Sequence, residues 1–359
     1  MKNLFNLDYE IKKNESVMHD LLRIFLMFQV VIGHLVYIAL PSLKIQIQNI
    51  SENYLNIIFS VLFRFGPESA FMFVFLSGYM VAGSLINSLI HKNYINDKSY
   101  FYKRIIRIFP LTLLVLIVTF LCDFLTVKFV GESALKYYEK SQAYNMWEAL
   151  NLGNFFSNLL FLQPTFSGVF GSNGPLWTLG YLFQYYIIGW TLYKTLTIST
   201  KLFLASSIFI LAFMFLWKLE WFLLFLTWIA GGLLRNFKFN FGNYRLFGIF
   251  GILSFGCSTF FSGFYSILLV SIASVFLIHY FKGNNFCFSN EKYFRRIAND
   301  SFAVYLIHYP LIISIYLIFF GNLNFSNFNF LYYVIFSLFS VIGLSFVLII
   351  IEKHILAKI

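Results

Sequence analysis

Long apolar stretches broken by short polar ones run along almost the whole chain. They are solid runs and lack the period-two alternation of a membrane β-strand. A bilayer core asks for about 20 apolar residues per helix. Between its polar breaks the chain offers ten such segments, near 20–40, 69–90, 105–127, 174–195, 202–217, 219–235, 244–260, 262–281, 301–320 and 329–351. The pattern predicts an all-α, polytopic membrane helix bundle forming one domain over 1–359. A polar cytoplasmic segment (1–19) precedes the first span, and the longest outer connection runs from about 128 to 173. The latter part of that connection, NFFSNLLFLQPTF, is apolar enough to lie against the membrane or re-enter it. The turns near 217–219 and 260–263 are very short.

Composition narrows the class. Of 359 residues, 59% are hydrophobic and 11% charged, and mean hydropathy is +0.75. Soluble domains carry about 25% charge, so a soluble globular enzyme and a disordered chain are both excluded. Cys122, Cys257 and Cys287 lie in or beside apolar runs without a pairing pattern, which predicts free thiols. The net charge of +11 would suit nucleic acid if it were clustered, but its placement is a topology signal instead. With the N-terminus inside, Lys44, Arg64, Lys128, Lys136, Lys140 and Lys218 are the outer share of the 26 Lys and Arg residues. That asymmetry predicts N-in and C-in, with no nucleic-acid partner. The start, MKNLFNLDYEIKKNE, lacks a cleavable apolar core, so the first apolar run is expected to stay as a membrane helix.

Ionisable groups inside spans are expensive, so each is a candidate for chemistry. In the first span, HDLLRIFLMFQVVIGHLV, Arg23 and His34 are eleven residues apart. On a helix that is about 1,100° of rotation and roughly 16 Å of rise. They share a face, with Arg23 near the cytoplasmic end and His34 deep toward the outside. Asp20 sits one turn before Arg23, suited to pair with it. Arg23 is then either a snorkelling anchor or a ligand for an anion, and His34 either a packing residue or a base. In the second span, Ser77-Gly78 and Gly83-Ser84 offer small surfaces for close helix packing. Before the third span, Lys103, Arg104 and Arg107 form a basic turn with Pro110 beyond it. Such a cluster serves topology or lipid headgroups, or it binds phosphate, to which Arg bonds bidentately. The fourth span opens with SNGPLWTLGYLFQYYIIGW, where Asn173 or Gly174 can cap and Pro175 suits the first turn. Trp177 follows as an interface aromatic or an indole donor. The ninth span opens with NDSFAVYLIHYPLI, with Asn299, Asp300 or Ser301 as candidate caps, His308 within the bilayer and Pro310 bending the chain. HExxH, paired CxxC, a Walker loop and GxSxG are all missing, and the histidines lack metal-ligand spacing, so no metal is expected.

In this order, Asp20, Arg23 and His34, then FVFLSGYMVAGSL, YKRIIRIFP, GPLWTLGYLFQYY and SFAVYLIHYP resemble the integral membrane acyltransferase-3 family. Its members O-acylate surface polysaccharides and similar extracytoplasmic acceptors. The matching fragments spread over residues 20–310. The resemblance implies an acyl-CoA donor, usually acetyl-CoA, used from the cytoplasmic side as a substrate, with no permanently bound cofactor. It implies an acceptor hydroxyl on a glycan or lipid-linked sugar at the outer side. The setting is a multi-pass protein of the cell membrane, in contact with its lipids. His34 corresponds to the family's essential histidine and Arg23 to its partner arginine. Arg104 and Arg107 correspond to its basic motif, with Lys103 beside them at the donor's phosphates. Some relatives carry an esterase-like domain after the helices, and this chain resembles the stand-alone type. Leu182 stands where relatives carry a glutamate shortly after the PLW segment, and no acidic residue occurs from 149 to 219. Glu68 and Asp123 are candidate substitutes. Ser69 and Phe71 also depart from the Gly and Asp of many relatives.

Acyl transfer from a thioester to an alcohol needs a base and a place for the oxyanion. On this reading neutral His34 takes the hydroxyl proton, or is itself acylated first. Arg23 and the cytoplasmic arginines hold the donor's phosphates, while Ser77-Gly78, Trp177 and His308 line the chamber. A transporter or flippase of a lipid-linked sugar, and a catalytically inactive scaffold, are the alternative classes.

Overall fold

A computed structural model describes residues 13–44, 65–142, 146–236, 244–283, 290–321 and 327–357. The described residues form thirteen α-helices: α1 Lys13–Lys44, α2 Gly66–Ile90, α3 Asp97–Val130, α4 Glu132–Gln142, α5 Met146–Ala149, α6 Leu152–Leu159, α7 Leu176–Ile198, α8 Thr200–Trp217, α9 Leu219–Asn236, α10 Tyr244–Ser258, α11 Phe264–Gly283, α12 Glu291–Ile315 and α13 Asn327–Leu356. A π-helical turn, Tyr316–Phe320, continues α12. The protein is an all-α membrane bundle. Among the described residues seven helical segments are long and apolar enough to cross a bilayer, against the ten spans the apolar runs predict, and the apolar α10 is shorter. Every apolar run marked in the sequence lies on a helix. Of the three cysteines, Cys122 and Cys257 are free thiols, and Cys287 lies outside the described residues.

Two boundaries differ from their expectations. The fourth span's helix, α7, begins at Leu176, past Asn173, Gly174 and Pro175, and the Asn173 side-chain amide bonds Thr119 and the Leu306 carbonyl instead of capping it. Asn299, Asp300 and Ser301 do not cap the ninth span, because α12 begins at Glu291 and runs through them. The segment EKYFRRIAND carries enough helix formers to extend the helix nearly three turns ahead of its apolar part. Ser301 Oγ instead donates back to the Ala298 carbonyl at 2.8 Å.

Lipid-facing surface explains why so much apolar area stays open. On α8, Leu216 is 81% exposed and Phe209 72%, tolerable only where the solvent is hydrocarbon.

The described helices gather into two compact units. The first takes residues 1–26, 67–100 and 181–296. Within it α2 and α9 approach closely at their glycines. A Cβ added at Gly78 would lie 1.9 Å from the Trp228 carbonyl oxygen, and one at Gly231 2.3 Å from that of Phe75. Small residues let the two backbones approach this closely. Asn236 Nδ2 ties the same helices through the Gly83 and Gly232 carbonyls, both at 3.0 Å. Tyrosines join α7 to α2 and its following turn. Tyr193 Oη accepts from Ser88 Oγ and from the Ile95 amide, each at 3.0 Å, and Lys194 pairs with Asp97 at 2.5 Å.

The second unit takes residues 27–66, 101–180 and 297–359. Its apolar core gathers Leu35, Ile38 and Ala39 of α1 with Ala134 and Tyr138 of α4, Ile312 and Ile313 of α12, and Tyr333 of α13. The connection from α3 to α7 is mostly ordered by buried polar side chains. Asn158 donates to the Gly168 carbonyl at 2.8 Å and accepts from the Phe170 amide at 3.2 Å. Gln163 Nε2 donates to the Leu176 carbonyl at 3.1 Å. Leu152, Phe156 and Leu160 point apolar surface outward from the same segment.

Candidate functional site

The second unit holds the most reactive arrangement. Pro310 sits inside α12 and has no amide hydrogen to give the carbonyl four residues earlier. That carbonyl, Leu306 O, accepts from the side-chain amide of Asn173 at 2.9 Å. In the same turn the Tyr305 carbonyl lies 2.5 Å from His308 Nδ1. A carbonyl can only accept, so His308 Nδ1 carries the hydrogen. The other nitrogen of His308 lies 2.8 Å from His34 Nδ1. In the neutral pair, His308 Nε2 therefore accepts from His34 Nδ1–H, and the lone pair of His34 lies on Nε2. His308 is fully buried, while His34 keeps part of its surface open. The rings stack at 5.1 Å between centroids, and the edge of Tyr309 contacts His34 at 4.8 Å. His34 and His308 are 274 residues apart in sequence, and the fold brings them together.

The loop that supplies Asn173 is itself anchored. Asp123 on α3 accepts from Tyr138 Oη at 3.1 Å and from the Ser172 amide at 2.8 Å. Burial, with the Asp123 carboxylate beside it, holds the Tyr138 phenol well above its usual range, so it stays a donor. Gly171 takes φ +57°, and a Cβ there would lie 2.2 Å from Asp123 Oδ2, so only glycine fits. Asn173 also donates to Thr119 Oγ1 at 3.1 Å. Trp177 is half-buried in the first turn of α7. Thr178 and Tyr305 meet through their hydroxyls at 2.8 Å.

Lys103, Arg104 and Arg107 lie in the early turns of α3. Lys103 and Arg107 are exposed and Arg104 is half-buried.

In the first unit, Asp20 gathers two guanidinium groups, Arg23 Nη1 and Arg295 Nε, each at 3.6 Å. Arg295 Nη2 also donates to Ser16 Oγ at 2.7 Å. The expected Asp20–Arg23 pair is there, and Arg295 is the partner that the sequence reading missed. Arg295 and its neighbour Arg296 read as topology charges, and no local spacing links them to Asp20. His19 packs on Tyr79 at 4.5 Å, and Lys282 Nζ lies 5.2 Å from the same ring. Ser77 Oγ bonds Tyr186 Oη at 3.0 Å, and Gly78 is taken up by the contact with Trp228. Leu182 is half-buried on α7, next to Tyr181. Of the two candidate substitutes for a glutamate there, Glu68 is buried in this unit and accepts from Ser266 at 3.5 Å, while Asp123 is engaged in its own unit's loop.

A family model described as an acyltransferase domain matches residues 19–350. No curated protein and no solved structure matches the chain. The matched stretch takes in both units and every residue of the histidine pair and its supports. A helical membrane bundle carrying this domain over nearly its whole length is a membrane acyltransferase by family, and the chain belongs to the acyltransferase-3 family of integral membrane proteins.

Proposed function

We propose that the protein is an O-acyltransferase of the cell membrane that moves an acyl group, most simply acetyl, from cytoplasmic acyl-CoA to a sugar hydroxyl. The acceptor is an extracytoplasmic glycan or lipid-linked sugar. The hydrogen bond from His34 to His308 carries this reading, because it leaves the outer nitrogen of His34 as a base. His34 Nε2 takes the hydroxyl proton as the acceptor oxygen attacks the thioester carbonyl. The tetrahedral intermediate expels CoA as the thiolate, which takes the proton back from His34 Nε2. His308 fixes the ring and accepts more strongly as positive charge grows on His34, in the manner of an orienting partner. The Trp177 indole N–H is the proposed donor to the oxyanion. Lys103, Arg104 and Arg107 bind the phosphates of CoA, and Arg23, braced by Asp20, offers the same chemistry in its own unit. Ser77 and Gly78 hold α2 in place.

The reading is tested on intact cells with and without the gene. Alkali-labile acyl esters on the outer glycan, detected by mass spectrometry, are expected only where the protein is made. Identical ester content in both would contradict it and favour transport or a scaffold role.

A further inference from the structure

Two carbonyls in the turn of α12 before Pro310, those of Tyr305 and Leu306, accept from side chains rather than relying on the helix alone. The first fixes the hydrogen of His308, and the second is held by Asn173. Leu306 O needs that outside donor because residue 310 is proline. Asn173 is fully buried, and its loop is fastened to α3 through Thr119 and Asp123. The amide thus reaches α12 from a loop anchored on α3 and meets it at the carbonyl that Pro310 leaves open. His308 lies within that turn, and its Nε2 is what orients His34.

We propose that Asn173 is a positioning residue for the histidine pair: by filling the Leu306 carbonyl that Pro310 leaves open, it fixes the turn of α12 that sets His308 against His34. This rests on the reading of His34 as the base, but it concerns a tautomer that can be observed without catalysis. While Asn173 holds the turn, His34 keeps its hydrogen on Nδ1. Without it the turn relaxes, His308 Nε2 withdraws and His34 is free to exchange tautomers.

The test is nitrogen NMR of the full chain in bilayers, with labelled histidine and the His34 signals assigned by their loss in His34→Gln. Wild type should show His34 protonated at Nδ1 and bare at Nε2. In Asn173→Ala the tautomer ratio should fall about tenfold, the equilibrium worth of about one buried hydrogen bond. Pro310→Ala restores an amide hydrogen that can fill Leu306 O, so adding Asn173→Ala to that background should change the ratio less than about twofold. Thr119→Val removes the other acceptor of the same amide and should leave the His34 signals in place. It also keeps the test decisive if Pro310→Ala does not fold. An unchanged His34 tautomer in Asn173→Ala overturns the proposal, as does an equal effect of Asn173→Ala in both backgrounds or a Thr119→Val shift as large as that of Asn173→Ala. Loss of the wild-type tautomer pattern itself would sink the base assignment as well, whereas absence of acyl transfer with the pattern intact would fail the function alone.

Discussion

A neutral imidazole acts as a base only through the nitrogen that carries no hydrogen, so the partner of its other nitrogen decides where it is reactive. In this protein the order runs from the Tyr305 carbonyl through His308 to His34. The supports behind that order are single side chains. Asp123 receives the Ser172 amide and the Tyr138 hydroxyl, and Gly171 gives its carboxylate room. Asp123→Asn keeps the shape but turns a donor toward one of these donors. It should cost about 1–3 kcal/mol, read as a lowered unfolding midpoint in detergent with the bundle's helix content retained. A midpoint equal to wild type would mean that the loop is held by something else. His34, Arg23 and Asp20 were legible in the sequence because a charged or polar residue inside an apolar run stands out. Arg295 and Asn173 were not. Each had a sufficient local explanation, as a topology charge and as a helix cap, and only the fold shows what it touches.

The helices themselves were legible from apolar runs, since hydrocarbon forces the backbone to satisfy its own hydrogen bonds. Their ends and crossings were less so. The start of α12 at Glu291 lies outside the apolar window, and hydropathy cannot see a polar turn that continues a helix. Ser77-Gly78 was readable as a packing surface, but its partner on α9 was not. At the crossing, a Cβ on Gly78 would lie 1.9 Å from Trp228 O, and one on Gly180 1.7 Å from Gln163 O. Backbone carbonyls cannot swing aside as a flexible side chain can. Gly78→Ala and Gly180→Ala should therefore each destabilise strongly, by about 3 kcal/mol or more, and Gly256→Ala, with open space around it, should be near neutral. Unfolding midpoints of the three variants check this. Equal midpoints would show that the close approach of these elements is not what holds them.

At the scale of the whole molecule, the account requires donor and acceptor to arrive from opposite sides. The asymmetry of Lys and Arg predicts the cytoplasmic side for the basic turn of Lys103, Arg104 and Arg107, the side from which the proposed acyl-CoA donor would come. A charged CoA does not cross a bilayer freely, so the side on which it is supplied is informative. The most direct test uses sealed membrane vesicles of both orientations, carrying wild type, His34→Ala or His308→Ala, each given acetyl-CoA labelled in the acetyl group. Label is expected in extracytoplasmic glycan only in wild-type vesicles whose cytoplasmic face is outward. His34→Ala should lower the rate by roughly 10²–10⁴-fold, and His308→Ala should lower it by less. Transfer that persists unchanged in His34→Ala, or that requires the opposite vesicle orientation, would contradict the account.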